Sequence, residues 1–135
     1  MNQKHIKKAF IIDDDEAINF VTKKLLANFD KDCEVTTFSK PMEALEKLKE
    51  MLTASQPLPD VLLLDINMPK MNGFEFLQKM REEGLSKRIQ VIMYTSSVNP
   101  DDKKQSAGYD NVIGYMEKPF SAQAYGKILE MTYNR

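Results

Sequence analysis

Five short stretches of this chain read as β-strands, and four of them are continuous apolar runs: AFII (9–12), VLLL (61–64), VIMY (91–94) and VIGYM (112–116). The fifth, CEVTTF (33–38), mixes polar and apolar residues. A strand with one wet face alternates, whereas an unbroken run suits a strand buried on both faces, as in a parallel sheet covered by helices. The segments between the runs carry the spacing of such helices. Strands and helices that alternate along one chain imply right-handed crossovers. The predicted fold is α/β, a doubly wound five-stranded parallel sheet with five helices.

Each helix should turn one face inward. Ile18, Val21, Leu25 and Phe29 follow the three-and-four rule after the first run. Leu45, Leu48 and Leu52 do so after the second, with Pro41 suited to the first turn. Phe74, Leu77 and Met80 follow the third run, and Asn72 is a candidate cap. Asn99-Pro100-Asp101-Asp102 opens a short fourth helix that Gly108 would close, and Ala124, Ile128 and Met131 mark the last. TASQPLPD (53–60) reads as a loop. No repeat or interdomain linker interrupts the pattern, so residues 1–135 are expected to be a single domain without an output domain.

A chain of 135 residues buries a core without covalent staples. Its 19 basic and 20 acidic residues leave a formal net charge of -1, which gives no reason to expect nonspecific binding to nucleic acid or a membrane surface. The lone Cys33 excludes an internal disulfide and a cysteine-based zinc site, as expected of a reducing, cytoplasmic setting. No apolar stretch approaches the roughly 20 residues of a membrane span. The N-terminal MNQKHIKK lacks the apolar region of a signal peptide.

In an open parallel sheet, ligands bind beyond the carboxyl ends of the strands. There the first run ends in Asp13-Asp14-Asp15, the third in Asp65, the fourth in Thr95-Ser96 and the fifth in Glu117-Lys118-Pro119. Taken singly these residues are bland. Asp13–Asp15 reads as a solvated turn with a helix cap, Thr95 as a strand end and Lys118 as a surface lysine. Together they are carboxylates, a hydroxyl and an ammonium, with no His, Cys or Gly-rich loop. An all-oxygen set suits a hard divalent cation, Mg²⁺ above all. Without a cation, crowded carboxylates would hold one another's pKa values up. The hydroxyl and ammonium are what a transferred phosphoryl group needs around its oxygens, and an Asp carboxylate can itself be the nucleophile. The residues therefore predict Mg²⁺-dependent aspartyl phosphorylation, with Asp15 left to cap the helix beginning near Glu16.

LLLDINMPKMNGFEFL (62–77), with DDD upstream and YTSS then EKPF downstream, resembles the receiver domain of bacterial two-component response regulators. The resemblance spans nearly the whole chain and implies a flavodoxin-like (receiver) architecture. It implies Asp65 as phosphoacceptor, Asp14 as a direct Mg²⁺ ligand, Asp13 as its neighbour acting through water, and the Asn67 backbone carbonyl as a further ligand. Thr95, with Ser96 beside it, would bind the phosphoryl group, and Lys118 would pair with it. Tyr115 matches an aromatic switch residue, and the Lys118–Pro119 bond matches a cis peptide. Tyr94 departs from the pattern, being bulkier than the aliphatic residue usual before the Thr.

The resemblance further implies a signalling switch rather than a turnover enzyme, limited to accepting and slowly losing its own phosphoryl group. The donor would be a sensor histidine kinase or a histidine phosphotransfer protein. The output would be a downstream protein target, bound as a monomer or a phosphorylation-dependent dimer. One alternative is a Mg²⁺-dependent phosphatase of the haloacid dehalogenase type, whose D-x-D-x-[T/V] motif Asp13–Ala17 meets except at its last position. Another is a receiver-like binding module that takes no phosphate.

Overall fold

The structure, a computed structural model, describes residues 5–133. Its elements run β1 (Lys8–Ile12), α1 (Glu16–Phe29), β2 (Glu34–Phe38), α2 (Pro41–Thr53), β3 (Val61–Leu64), α3 (Gly73–Glu82), β4 (Gln90–Thr95), α4 (Pro100–Ser106), β5 (Val112–Glu117) and α5 (Ala122–Tyr133). The strands pair in parallel in the order β2-β1-β3-β4-β5. The α/β doubly wound sheet predicted from the sequence is thus the observed fold. Order reverses between β1 and β3, where an open sheet leaves a crevice beyond its strand ends.

The strands divide their side chains between two cores. Phe10, Ile12, Leu62, Leu64, Val91 and Met93 face α2 and α3. Their neighbours Ala9, Ile11, Val61, Leu63, Ile92 and Tyr94 face α1 and α5. Burial on both faces holds for β1, β3 and β4; β5 lies at the sheet edge, and most of VIGYM is only half-buried. Its run reads as interior because Ile113 and Tyr115 pack under helices while the strand's outer side is open. Cys33 is buried one residue before β2 begins, and burial pushes its thiol up to about 12.

Local chemistry sets the helix ends. Asp15 accepts from the N–H groups of Ala17 and Ile18, so it caps α1. Asn72 and Glu75 form a reciprocal capping box at α3. Pro41 opens α2, and Asn99 caps α4. Gly108 does not close α4 by a left-handed turn: the helix ends on Ala107 in right-handed conformation. The left-handed glycine is Gly84, at φ 75°, after α3. There the N–H groups of Gly84 and Leu85 return to the carbonyls of Arg81 and Met80, and Leu85 is buried.

The inward face of α1 differs from the apolar stripe expected of it. Asn19, Thr22 and Leu26 are buried, whereas Val21 is 52% and Phe29 42% exposed. Ile18 and Leu25 are partly buried at the rim of the core. Both rows obey helical spacing. Asn19 turns inward because its amide donates to the carbonyls of Asp13 (2.8 Å) and Phe38 (3.3 Å) at the ends of β1 and β2. In α5 the third buried position is Thr132 rather than Met131, which lies half-buried.

Gly73 ties the α2–α3 side to the crevice. A Cβ there would lie 2.6 Å from the carbonyl oxygen of Asp65 and 3.0 Å from the Cα of Ile66. Gly73→Ala is expected to cost about 1–3 kcal/mol of stability through overpacking against backbone. Gly126→Ala, in the interior of α5 with nothing within 4 Å, should gain about 0.5–1 kcal/mol. Urea denaturation of both variants tests this contrast, and a Gly73→Ala protein as stable as the parent would contradict the close approach.

Candidate functional site

Asp13 and Asp65 directly follow β1 and β3, the two strands flanking the reversal in strand order. Their backbones are fixed by bonds to neighbouring strands: Asp13 N–H donates to the Phe38 carbonyl (3.1 Å) and Asp65 N–H to the Ile12 carbonyl (3.0 Å). Each carboxylate then spends one oxygen locally. Asp13 Oδ1 accepts from the Asp15 N–H at 2.9 Å, and Asp65 Oδ1 from the Ile66 N–H at 2.8 Å. The other oxygen of each faces Lys118. Its ammonium forms an ion pair with Asp13 Oδ2 and lies 3.4 Å from Asp65 Oδ2. Lys118 reaches this point because its own N–H donates to the Thr95 carbonyl at 3.0 Å. The Lys118–Pro119 peptide is cis.

The charges do not balance. Asp13 and Asp65 are buried, Asp14 is exposed beside them, and one ammonium faces the group. Carboxylate oxygens of all three acids lie within 4.8 Å of one another. Burial pushes the Asp13 carboxyl above its ordinary 3.8 and the charge of Asp65 adds to this, against the opposing pull of Lys118 and the Asp15 N–H. Burial also acts to lower the Lys118 pKa, but pairing with Asp13 and Asp65 outweighs it and holds the ammonium above its ordinary 10.5. Three convergent oxygen donors with an uncompensated negative charge fit a hard divalent cation, and among the described residues they are the cluster with that chemistry.

The other expected residues are placed unequally. Thr95 is fully buried at the end of β4, and its Oγ1 accepts from the Ser97 N–H at 3.2 Å. Ser96 is exposed. Asn67 is exposed in the turn between β3 and α3. Tyr115 is half-buried on β5 and donates to the Ser97 carbonyl at 3.0 Å. The hydroxyl of Ser97 in turn donates to Asp102 Oδ2 at 2.6 Å, so the β4–α4 loop is tied both to β5 and to the first turn of α4.

Three buried residues that support the acids and Lys118 were not picked out as site residues from the sequence: Asn19, Thr22 and Tyr94. The Tyr94 hydroxyl lies 3.2 Å from Thr22 Oγ1, and the Lys118 ammonium lies 5.7 Å from the centre of its ring. Burial pushes the phenol pKa up, against the lowering by Thr22 and Lys118. For Asn19 and Thr22 the available signal was two uncharged polar residues spaced by three, in line with Leu26, directly after the acids.

A parallel 2-1-3-4-5 sheet with a carboxylate group and a lysine at its β1/β3 crevice is the arrangement of a phosphoacceptor signalling domain. The chain belongs to the response regulator receiver domain family, whose pattern it matches over residues 9–130. Among curated relatives, the DNA-binding dual master transcriptional regulator RpaA of Synechocystis is 31% identical over 117 residues, covering 86% of this chain and 44% of the relative. The DNA-binding transcriptional regulator NtrC of Escherichia coli K12 is 33% identical over 111 residues, covering 82% of this chain and 21% of the relative. The chain therefore spans less than half the length of these relatives. A two component response regulator from Cytophaga hutchinsonii superposes with a TM-score of 0.86 at 26% identity, covering 96% of this chain and 98% of that one. The chemotaxis protein CheY4 of Vibrio cholerae gives 0.77 at 27% identity, covering 95% and 99%. Phosphorylation-dependent signalling is the function this membership supports. No helix among the described residues is long and apolar enough to cross a membrane.

The charge imbalance can be tested without any phosphodonor. In metal-free protein at pH 7, Lys118→Met should destabilise by roughly 3 kcal/mol, because buried like charges lose their one counter-ion. Asp13→Asn should instead stabilise by on the order of 1 kcal/mol, leaving Lys118 and Asp65 one to one. In Lys118→Met the folded carboxyls bind protons more strongly than the unfolded chain does. Its deficit should therefore be largest at neutral pH and close as pH falls toward 3.8. Denaturant midpoints between pH 4 and 7 in the presence of a chelator read this out, and opposite signs for the two variants are required.

Proposed function

We propose that this chain is a phosphorylation-controlled switch that takes a phosphoryl group onto Asp65 and changes its protein-binding face in response. The observation that carries the reading is the convergence of Asp65, Asp13 and Lys118 at the crevice between β1 and β3. An oxygen of the Asp65 carboxylate attacks the phosphorus of a phosphohistidine on a sensor kinase or phosphotransfer protein. The phosphorus–nitrogen bond breaks, and the released imidazole keeps the electron pair and takes up a proton. Mg²⁺ held by Asp13, Asp14, Asp65 and the Asn67 carbonyl would neutralise charge on the transferring oxygens.

Lys118, placed within reach of Asp65, pairs with an oxygen of the new phosphoryl group. Thr95 donates its hydroxyl to another, giving up the geometry in which it accepts from Ser97. A shift of Thr95 pulls on the β4–α4 loop, and through the Ser97 carbonyl on Tyr115. The face built from α4, β5 and α5 then presents a different surface to its target. In this role the protein turns over no external substrate beyond its own phosphoryl group. The phosphatase alternative would place the nucleophile at Asp13; the incomplete motif at Ala17 and the receiver-family match over residues 9–130 support the switch reading instead.

Incubation with acetyl phosphate and Mg²⁺ should give an acid-resistant, base-labile phosphoryl adduct that Asp65→Asn does not form. Asp14→Ala should lose the Mg²⁺ dependence of labelling. An Asp65→Asn protein that labels like the parent overturns the phosphoacceptor assignment, and an adduct mapped to Asp13 favours the phosphatase reading.

A further inference from the structure

Lys118 is bounded on two sides by different chemistry. On one side stand the carboxylates of Asp13 and Asp65. On the other lies the ring of Tyr94, 1% exposed and 5.7 Å from the ammonium. That ring is contacted at two points, and its backbone is fixed by the sheet. Its hydroxyl meets Thr22 Oγ1 of α1 at 3.2 Å. Phe120, two residues beyond the lysine, meets it edge-on at 6.5 Å and 83°. In the sheet, Tyr94 pairs with Met116 of β5. A cavity of about 220 Å³ continues along this side between α1 and the β5–α5 turn, walled by Ile18, Val21, Thr22, Tyr94 and Phe120. Apart from the paired hydroxyls of Thr22 and Tyr94, that wall is apolar, so beyond the acids the ammonium meets the ring face.

We infer that Tyr94 is a positioning residue for Lys118, its ring serving as the surface on which the ammonium rests while its partner changes from Asp13 to the phosphoryl group. The inference builds on the function proposed above. In the metal-free protein the lysine pairs with Asp13, one of the three acids able to hold a cation, and lies within reach of Asp65. A cation drawn to the acids weakens the hold of Asp13 on the ammonium, which then needs a second surface to keep it from solvent. An aromatic face attracts a cation without offering a hydrogen-bond acceptor that competes with phosphate. An aliphatic side chain of similar size would fill the space and supply no such attraction. The bond to Thr22 satisfies the phenol hydroxyl inside an apolar core, and the edge-on Phe120 packs beside the ring.

The ring contact is read directly from protein labelled with ¹³C-lysine: the Lys118 ε-methylene proton resonances should be ring-current shifted in the parent and in Tyr94→Phe. The shift should vanish in Tyr94→Leu. Labelling by acetyl phosphate with Mg²⁺ should stay within about twofold of the parent in Tyr94→Phe and fall roughly fivefold in Tyr94→Leu, the equivalent of about 1 kcal/mol of cation–π contact. In a Lys118→Met background, Tyr94→Leu should cause no further loss. An equal further loss there makes Tyr94 a core residue only and overturns the inference, as does Tyr94→Phe proving as slow as Tyr94→Leu. A parent protein whose Lys118 resonances carry no ring-current shift overturns it without any variant. A parent that takes no phosphoryl group fails the proposed function itself, whereas a labelled parent with additive variants fails the positioning role alone.

Discussion

The structure depends on one imbalance: three carboxylates converge at the ends of two neighbouring strands, and a single ammonium answers them. Such a group is tolerable in a buried setting only if every oxygen has something to do. Asp13 and Asp65 each give one oxygen to a nearby backbone N–H and turn the other toward Lys118. The excess negative charge that remains is a binding energy held in reserve for a cation. Stability and function therefore pull in opposite directions at this crevice, as the opposite signs expected for Lys118→Met and Asp13→Asn express.

The two cores serve the site differently. On the α2–α3 side, Gly73 lets the helix start press against the backbone of Asp65, so packing fixes where the proposed nucleophile stands. On the α1–α5 side, Asn19, Thr22 and Tyr94 bring polar atoms into an apolar layer. Asn19 satisfies the turn carrying the acids, and Tyr94 underlies the lysine. A third link runs along the outer strand, where Tyr115 and Asp102 hold the β4–α4 loop through Ser97. In the proposed switch, that link is the route by which a movement at Thr95 would reach the surface.

The sheet was legible because burial on both faces demands unbroken apolar runs, and β1, β3 and β4 meet that demand. Three helix starts were legible because Asp15, Asn72 and Asn99 satisfy N–H groups within their own turn. Gly108 stands directly after the C-cap Ala107, where α4 stops as expected, but without a left-handed turn, because a glycine after a helix permits that turn without requiring it. The inward row of α1 was not legible. Helical spacing is met by the row through Val21 and by the row through Thr22, and hydrophobicity alone selects the wrong one.

By itself the sequence determined the alternation of strands and helices, the residues at the strand ends, and the chemistry those residues could share. These follow from local rules: periodicity, capping and donor type. Only the tertiary structure decided that Lys118 sits on Asp13, that Asn67 and Ser96 face solvent, and that Asn19, Thr22 and Tyr94 are buried in support of the acids and the lysine. Those outcomes depend on which polar atoms the strand ends leave unsatisfied. That is a property of neighbouring strands separated in the chain by a whole helix, and no local pattern carries it.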